Sequence, residues 1–240
     1  MKKLLLKKTL LLALLLLLAL TRSACGGEKG VQSTAQLGAS PKVSDAAAAS
    51  PSEQPDGGET NAPSASKTLI VYFSHAGENY NVGVIEEGNT AKMAKLIAGQ
   101  LDAELFEIVP LTAYPTDYNG CLEVATEEQR TNARPGYVGD VADWDQYSTV
   151  FVGYPIWWGD MPNIVYSFLE AHDFASKTVI PFNTHEGSGQ AGTQRTIERL
   201  MPNATVLKGL ALRGSKAQND AEGSLQDVKG WLTGLGLLKP

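Results

Sequence analysis

Five short runs of aliphatic, β-branched and aromatic residues alternate with five helix-forming stretches between residues 68 and 233. No other feature restricts the fold as tightly. Strands alternating with helices predict parallel pairing through right-handed crossovers, with helices covering both faces of one sheet. The expected strands are Thr68–Phe73, Glu104–Val109, Tyr147–Tyr154, Thr178–Phe182 and Ala204–Leu212. Pro110 stops the second, and Pro181 weakens the fourth. The expected helices are Thr90–Leu101, Thr116–Asn132, one opened by Pro162, Gln190–Met201 and Ala221–Thr233. Apolar side chains recur on one face of each: Ala94, Ile97 and Leu101; Tyr118, Leu122 and Ala125; the Ile164/Phe168 and Val165/Leu169 pairs; Leu225, Val228 and Leu232. Thr90 is placed near an N-cap and Gly234 at a C-terminal cap. The prediction is a three-layer α/β fold with a doubly wound, five-stranded parallel sheet. Its ligand site lies beyond the carboxyl ends of the strands, at the switch point.

Three loops leave those carboxyl ends, and each carries chemistry. The first starts at Ser74-His75 and ends, after a detour, at Gly88-Asn89-Thr90 before a helix. Hydroxyls, an amide and a glycine at a helix N-terminus can hold a phosphate monoester through backbone N–H groups and the helix dipole. The same residues also make an ordinary turn and cap. The second loop, Pro155-Ile156-Trp157-Trp158-Gly159, puts two adjacent indoles on a sharp turn. Two such rings cannot easily both be buried, so one either faces a flat ligand or anchors the loop on the core. The third, Thr184-His185-Glu186-Gly187-Ser188-Gly189, lets backbone N–H groups approach the carbonyls and ring nitrogens of a ligand.

Together the loops describe a ligand with a phosphate at one end and a planar polar heterocycle at the other, which looks like FMN. In these motifs residues 67–237 resemble the flavodoxin family. Ser74 with Gly88-Asn89-Thr90 is similar to its phosphate loop. Tyr154-Pro-Ile-Trp-Trp-Gly159 resembles its first isoalloxazine loop, and Thr184 to Gly189 its second. The resemblance implies the strand order 2-1-3-4-5, bound FMN and a redox role. That role is either electron transfer with a partner protein or reduction of a small-molecule acceptor of the quinone kind. A flavin-free binding or scaffold protein that keeps the fold is the alternative. Two departures stand out. Residues Ala76 to Glu87, with Tyr80 and Ile85, interrupt the phosphate loop, as a hairpin or lid beside the flavin or as a solvated excursion. The second flavin loop holds His185 and Glu186 where small carriers often have an aromatic residue, so stacking falls to Trp157 or Trp158.

Several single residues have two readings each. His185 is a proton donor or anchor at the flavin edge, hence the one candidate catalytic residue, or a surface histidine. His75 is a phosphate partner or a surface histidine. Glu186 either lowers the flavin potential or is solvated. Arg213 meets a substrate or caps the end of the fifth strand. His172 reads as a helix C-terminal dipole partner, and Cys121 as a small core residue. No G-x-G-x-x-G fingerprint demands a nicotinamide donor.

The N-terminal part sets the context. Lys2, Lys3, Lys7 and Lys8 precede an apolar run from Leu10 to Leu20, which is shorter than the about 20 residues of a membrane span. Residues 1–25 therefore read as a secretory signal, with an uncleaved signal anchor as the alternative. Ser23-Ala24-Cys25-Gly26 resembles a lipobox, which implies lipidation at Cys25 and a membrane anchor. Arg22 stands where that pattern usually has an aliphatic residue, so a plain secretory signal also fits. Residues 26–66 are rich in Ala, Ser, Gly and Pro, with too few apolar side chains to offset ordering entropy, and read as a disordered linker. Residues 67–240 form the expected domain. They carry 13 Lys+Arg against 21 Asp+Glu, which argues against a nucleic-acid partner. The expected setting is exported, lipid-anchored and outside the cytoplasmic membrane.

Overall fold

The computed structural model describes residues 66–239. The expected signal segment 1–25, Cys25 and all but the last residue of the expected linker lie outside the described residues. The chain runs through β1 (Lys67–Tyr72), β2 (Gly77–Asn79), β3 (Gly83–Ile85), α1 (Asn89–Ala98), β4 (Ala103–Glu107) and α2 (Tyr118–Thr131). It continues with β5 (Tyr147–Pro155), α3 (Asn163–Ala171), β6 (Thr178–His185), α4 (Thr193–Leu200), β7 (Thr205–Val206), β8 (Leu210–Arg213), α5 (Gly214–Asn219) and α6 (Ala221–Gly234). The main sheet has the order β4-β1-β5-β6, with β7 and β8 both paired to the far side of β6. Every pair in it is parallel. Counted as five strands this is 2-1-3-4-5, the expected doubly wound topology.

Alternate residues of the central strands feed two separate cores, which is why those strands read as unbroken apolar runs. Leu69, Val71, Phe73, Val150, Val152 and Tyr154 pack with Ile164, Val165 and Phe168 of α3 on one face. Ile70, Tyr72, Phe151, Ile180 and Phe182 pack with Met93 and Ile97 of α1 and Val228 and Leu232 of α6 on the other. Each large side chain fully buried this way contributes roughly 1.5–3 kcal/mol. That burial holds the carboxyl ends of β1, β5 and β6 in fixed register, with Tyr72 opposite Gly153 and Pro155 opposite Thr184.

Four expectations need correction. The fifth strand is broken: Val206 pairs with Val179 and Leu210 with Phe182, so its register slips by one residue. The slip falls near Pro181, which has no N–H to keep a ladder in step, and the Gly209 N–H donates instead to the Gln194 side chain. Helix α4 starts at Thr193, not Gln190, because Ala191 and Gly192 take left-handed backbone just before it. The last helix includes Gly234, and Gly236 takes the left-handed position beyond it. In that helix Ser224, not Leu225, is buried with Val228 and Leu232. Helix α5 is an additional element. Of the two readings of the insertion, the hairpin is the observed one: β2 and β3 pair antiparallel, turning at Asn81 with φ 59.

Candidate functional site

The first loop is closed in space although twelve residues interrupt it in sequence. A Cβ added to Gly88 would lie 2.2 Å from the Ser74 hydroxyl and 2.7 Å from the His75 carbonyl oxygen. Gly88 therefore sits directly on the start of the loop, and only glycine fits there. Helix α1 gets no capping hydrogen bond from a side chain at Gly88. The Ser74 hydroxyl caps it from a distance, accepting the Ala91 N–H at 3.0 Å. The Thr90 hydroxyl is hydrogen-bonded to that of Thr184 at 2.8 Å, both buried, which ties the loop to the end of β6. The first N–H groups of a helix have no partner within it. Among the described residues nothing accepts the N–H of Asn89 or Thr90. The Asn89 side-chain oxygen is also buried without a partner. The two unpaired N–H groups leave this end of α1 under-satisfied in the way an anion site is, whereas the Asn89 oxygen is an acceptor and calls for a donor.

His75 has a defined polarity. Its Nε2–H donates to the Pro115 carbonyl at 2.9 Å, and burial lowers its pKa. The neutral ring keeps Nδ1 as an acceptor, which suits a hydroxyl or N–H group better than a phosphate oxygen. The hairpin beside it is docked firmly. The Glu78 N–H donates to the Thr116 carbonyl at 2.7 Å, and the Glu78 carboxylate accepts the Tyr118 N–H at 3.0 Å.

The second loop separates its two indoles by backbone geometry. Trp157 and Asp160 exchange both backbone hydrogen bonds at 2.9 Å. Trp158 and Gly159 between them have φ of 50 and 78. Two consecutive positive φ angles describe a type I′ turn, which favours Asn-Gly and is adverse to a tryptophan. The Trp157 ring packs edge-on against Phe73 at 5.4 Å, Tyr114 at 5.2 Å and His75 at 5.8 Å. Trp158 is 58% exposed. Trp157 anchors the loop; Trp158 is the free ring. The Ile156 N–H donates to the Thr184 carbonyl at 2.8 Å and joins this loop to the third.

In the third loop His185 Nδ1 accepts the Gly187 N–H at 2.9 Å. A neutral His185 must then carry its proton on Nε2, which is left as a donor. The two histidines thus offer opposite free atoms, an acceptor at His75 and a donor at His185. Glu186 is neither solvated nor free: its carboxylate accepts the Ser215 N–H at 2.6 Å and the Ser215 hydroxyl at 3.2 Å, with Arg213 at 3.8 Å. The Asn183 side chain donates to the Gly189 carbonyl at 2.9 Å and holds the end of the loop.

All three loops open on one cavity of about 300 Å³. His75, Asn89, Pro155, Ile156, Trp157, Trp158, Gly159, Thr184, His185, Glu186 and Ser188 border it. Ser74, Gly88, Thr90, Gly187 and Gly189 shape the loops without bordering it. The opposite wall joins the insertion, one reading of which was a hairpin beside the flavin, to a face of α2 that was not foreseen as part of a site. It consists of Glu78, Asn79 and Tyr80 from the hairpin and Tyr118, Cys121, Leu122 and Ala125 from α2. The signal was present as the apolar face of that helix, which equally suits packing on a core. Burial, then Glu128 and Asp117, push the Cys121 thiol up to about 11, so it is an inert wall residue. His172 bonds the Phe168 carbonyl at the end of α3 at 2.9 Å and lies in the core away from the cavity.

His185 gives the loop a pH dependence of predictable sign. Burial first, then the Arg213 charge, lower its pKa from 6.5, with Glu186 opposing. Below pH 6.5 the unfolded chain takes up a proton that the native chain still refuses, so stability is full above this value and is lost as pH falls. Protonation also puts a hydrogen on Nδ1 and breaks the Gly187 bond. Denaturant midpoints at pH 7 and pH 5 should therefore differ more for the wild type than for His185→Gln. Equal differences would remove His185 as the titrating group.

The family model described as Flavodoxin matches residues 67–228. No curated protein matches the chain. Among solved structures, a candidate flavoprotein from Bacteroides uniformis ATCC 8492 is similar at 30% identity and a TM-score of 0.55, over 70% of this chain and 97% of that one. A candidate flavoprotein from Bacteroides eggerthii DSM 20697 is similar at 26% identity and a TM-score of 0.57, over 71% of this chain and 98% of that one. A flavoprotein in complex with FMN from Lactobacillus acidophilus NCFM shares the fold at 23% identity and a TM-score of 0.50, over 64% of this chain and 97% of that one. The matched span starts at β1, takes in all three loops and ends within α6, and on that extent the chain belongs to the flavodoxin family.

Proposed function

We propose that the domain binds FMN and that the protein is a redox protein, passing electrons to a partner protein or a small-molecule acceptor. The observation that carries this reading is the convergence of three loops on one cavity, bordered both by Asn89 at the unpaired N-terminus of α1 and by the free Trp158 ring. The Asn89 and Thr90 N–H groups and the Asn89 amide would hold the phosphate. Trp158 would lie against the isoalloxazine, and the backbone of residues 186–189 would meet its polar edge. Bound FMN supplies one- or two-electron chemistry, and the protein supplies orientation and electrostatics. A neutral His185 is a hydrogen-bond donor there; it acts as an anchor and not as an acid near pH 7.

One observation favours the flavin-free alternative: the hydroxyls of Ser74 and Thr90 are already engaged, with Ala91 and Thr184. The exported, lipid-anchored setting belongs to the same proposal and rests on residues 1–25, with Cys25 as the lipidated residue. One preparation tests both parts. Full-length protein should bind one FMN per chain, with the absorbance bands of oxidised flavin, and should incorporate labelled palmitate that a Cys25→Ser variant does not. Absence of any flavin band after equilibration with FMN would favour the scaffold reading.

A further inference from the structure

A second cavity, of about 430 Å³, shares the Trp158-Gly159 turn with the first and has no other bordering residue in common with it. The rest of its border is polar: Gln129 and Asn132 at the end of α2, Asp160 after the turn, and Asn163 and Tyr166 in the first turn of α3. Asn163 is only 6% exposed, and its hydrogen bonds fix which way its amide points. Both amide hydrogens are spent, on the Glu128 carbonyl at 2.7 Å and the Ala133 carbonyl at 2.9 Å. Its side-chain oxygen has no partner among the described residues, yet it is not one of the atoms sealed from solvent. On a residue this buried, that oxygen opens on the cavity.

Asp160 adds a charge. Its carboxylate accepts the Met161 N–H at 2.8 Å and the Tyr166 hydroxyl at 2.9 Å. Both donors are neutral, and among the described residues no cation pairs with Asp160. Arg134 lies over the Tyr166 ring at 5.0 Å, but its guanidinium is held by both Glu170 oxygens at 2.7 Å. The N-terminal dipole of α3 offsets roughly half of one unit charge, so the cavity stays negative and rich in acceptors.

That combination selects a ligand. An anion would meet Asp160 without compensation. A neutral donor would satisfy Asn163 and leave the carboxylate without a counter-charge. A bare metal ion calls for about six oxygen ligands, and among the described residues no three carboxylate, histidine or cysteine side chains are placed to hold one. A guanidinium is always charged, planar and made only of donors, so one group can serve Asp160 and Asn163 together.

We propose that the cavity bordered by Asp160, Asn163 and Gln129 is a guanidinium-binding site, which takes an arginine side chain of a partner protein or a free guanidino compound. It does not depend on the FMN reading, and the full-length protein is titrated as purified.

The probes are N-acetylarginine amide, N-acetylcitrulline amide, which keeps the shape without the charge, and free arginine. In 15N-labelled protein the side-chain amide signals of Asn163 and Gln129 and the Trp158 indole signal should shift together with the arginine amide. The citrulline amide should bind about tenfold or more weakly. Asp160→Asn should weaken the arginine amide by about tenfold, whereas Tyr166→Phe, which keeps the carboxylate, should stay within about threefold. The remaining signals of each variant report whether it is folded, and the citrulline comparison decides on the wild type alone. A blocked arginine that binds as tightly as the free amino acid supports a polypeptide side chain as the ligand; tighter binding of free arginine supports a free compound. Equal binding of arginine and citrulline amides would overturn the proposal. So would an Asp160→Asn protein that binds as the wild type does, or no shift of these signals at up to about 50 mM probe.

Discussion

Replacing Trp158 with asparagine should stabilise the protein and weaken its hold on FMN. The two effects have different physical origins. Trp158 has a φ of 50 at the first central position of its turn, where an ordinary side chain costs roughly 1–2 kcal/mol. Asparagine tolerates that conformation, and Asn-Gly is the preferred pair for a type I′ turn. The ring is exposed, so its loss removes little packing. The expected gain is about 1 kcal/mol of unfolding free energy, read as a higher urea midpoint of the apoprotein at unchanged m-value. If the ring lies against the isoalloxazine, FMN dissociation should rise by about 10- to 100-fold, or roughly 1.4–2.8 kcal/mol. A functional residue kept in strained backbone is what opposite signs would report. An Asn variant that binds FMN as the wild type does would disprove stacking by Trp158. Trp157 is the internal control: its ring is half-buried against Phe73, Tyr114 and His75, so Trp157→Ala should destabilise the fold by about 3 kcal/mol, the low end for a buried aromatic.

The contrast between these two neighbours shows where the sequence stops being legible. Adjacent tryptophans on a turn left open whether a ring faces a ligand or anchors the loop on the core, and which ring does which. The answer depends on a turn type set by the Trp157–Asp160 pairing and by the way Tyr166 holds the Asp160 carboxylate. Similarly, the alternation of strands and helices specified a parallel sheet covered on both faces, as the two-sided burial of Ile70, Phe151 and their neighbours bears out, whereas the strand order came from the family resemblance. It did not specify the break in the fifth strand, which arises from a slip near Pro181 in a neighbouring strand. Loop residues were recognised as a set by composition, yet their partners are tertiary. The Glu186 carboxylate accepts from Ser215 of a helix that was not foreseen, and His75 donates to the Pro115 carbonyl of a loop with no motif of its own. The helix face in the second wall of the first cavity was hidden for another reason. Tyr118, Leu122 and Ala125 have the spacing of any helix face, and periodicity alone cannot tell a face that meets a core from one that meets a ligand.

Gly88→Ala should produce the largest combined loss of stability and binding. The new methyl group would lie 2.2 Å from the Ser74 hydroxyl, 2.7 Å from the His75 carbonyl oxygen and 2.9 Å from the His75 carbonyl carbon. A serine side chain can rotate away, but two backbone atoms at the end of a central strand cannot. The start of α1 must then move. Overpacking of this kind costs typically 1–3 kcal/mol, and displacing Ser74 also removes the cap on the Ala91 N–H, worth about 1 kcal/mol. The same displacement shifts the Asn89 and Thr90 N–H groups from which the phosphate would hang, so FMN affinity should fall by at least about 100-fold, or roughly 2.7 kcal/mol. Ser74→Ala alone removes the cap without the clash and should cost only the smaller amount. Combining the two changes relieves the nearest contact but leaves His75 in place, so the double variant should be less damaged than the sum of the singles, though still below wild type. Thermal midpoints and FMN titrations of the four proteins complete the cycle. Additive losses would mean that Gly88 and Ser74 do not touch, and a Gly88→Ala protein with wild-type stability and FMN affinity would mean that the closed first loop is not the phosphate site.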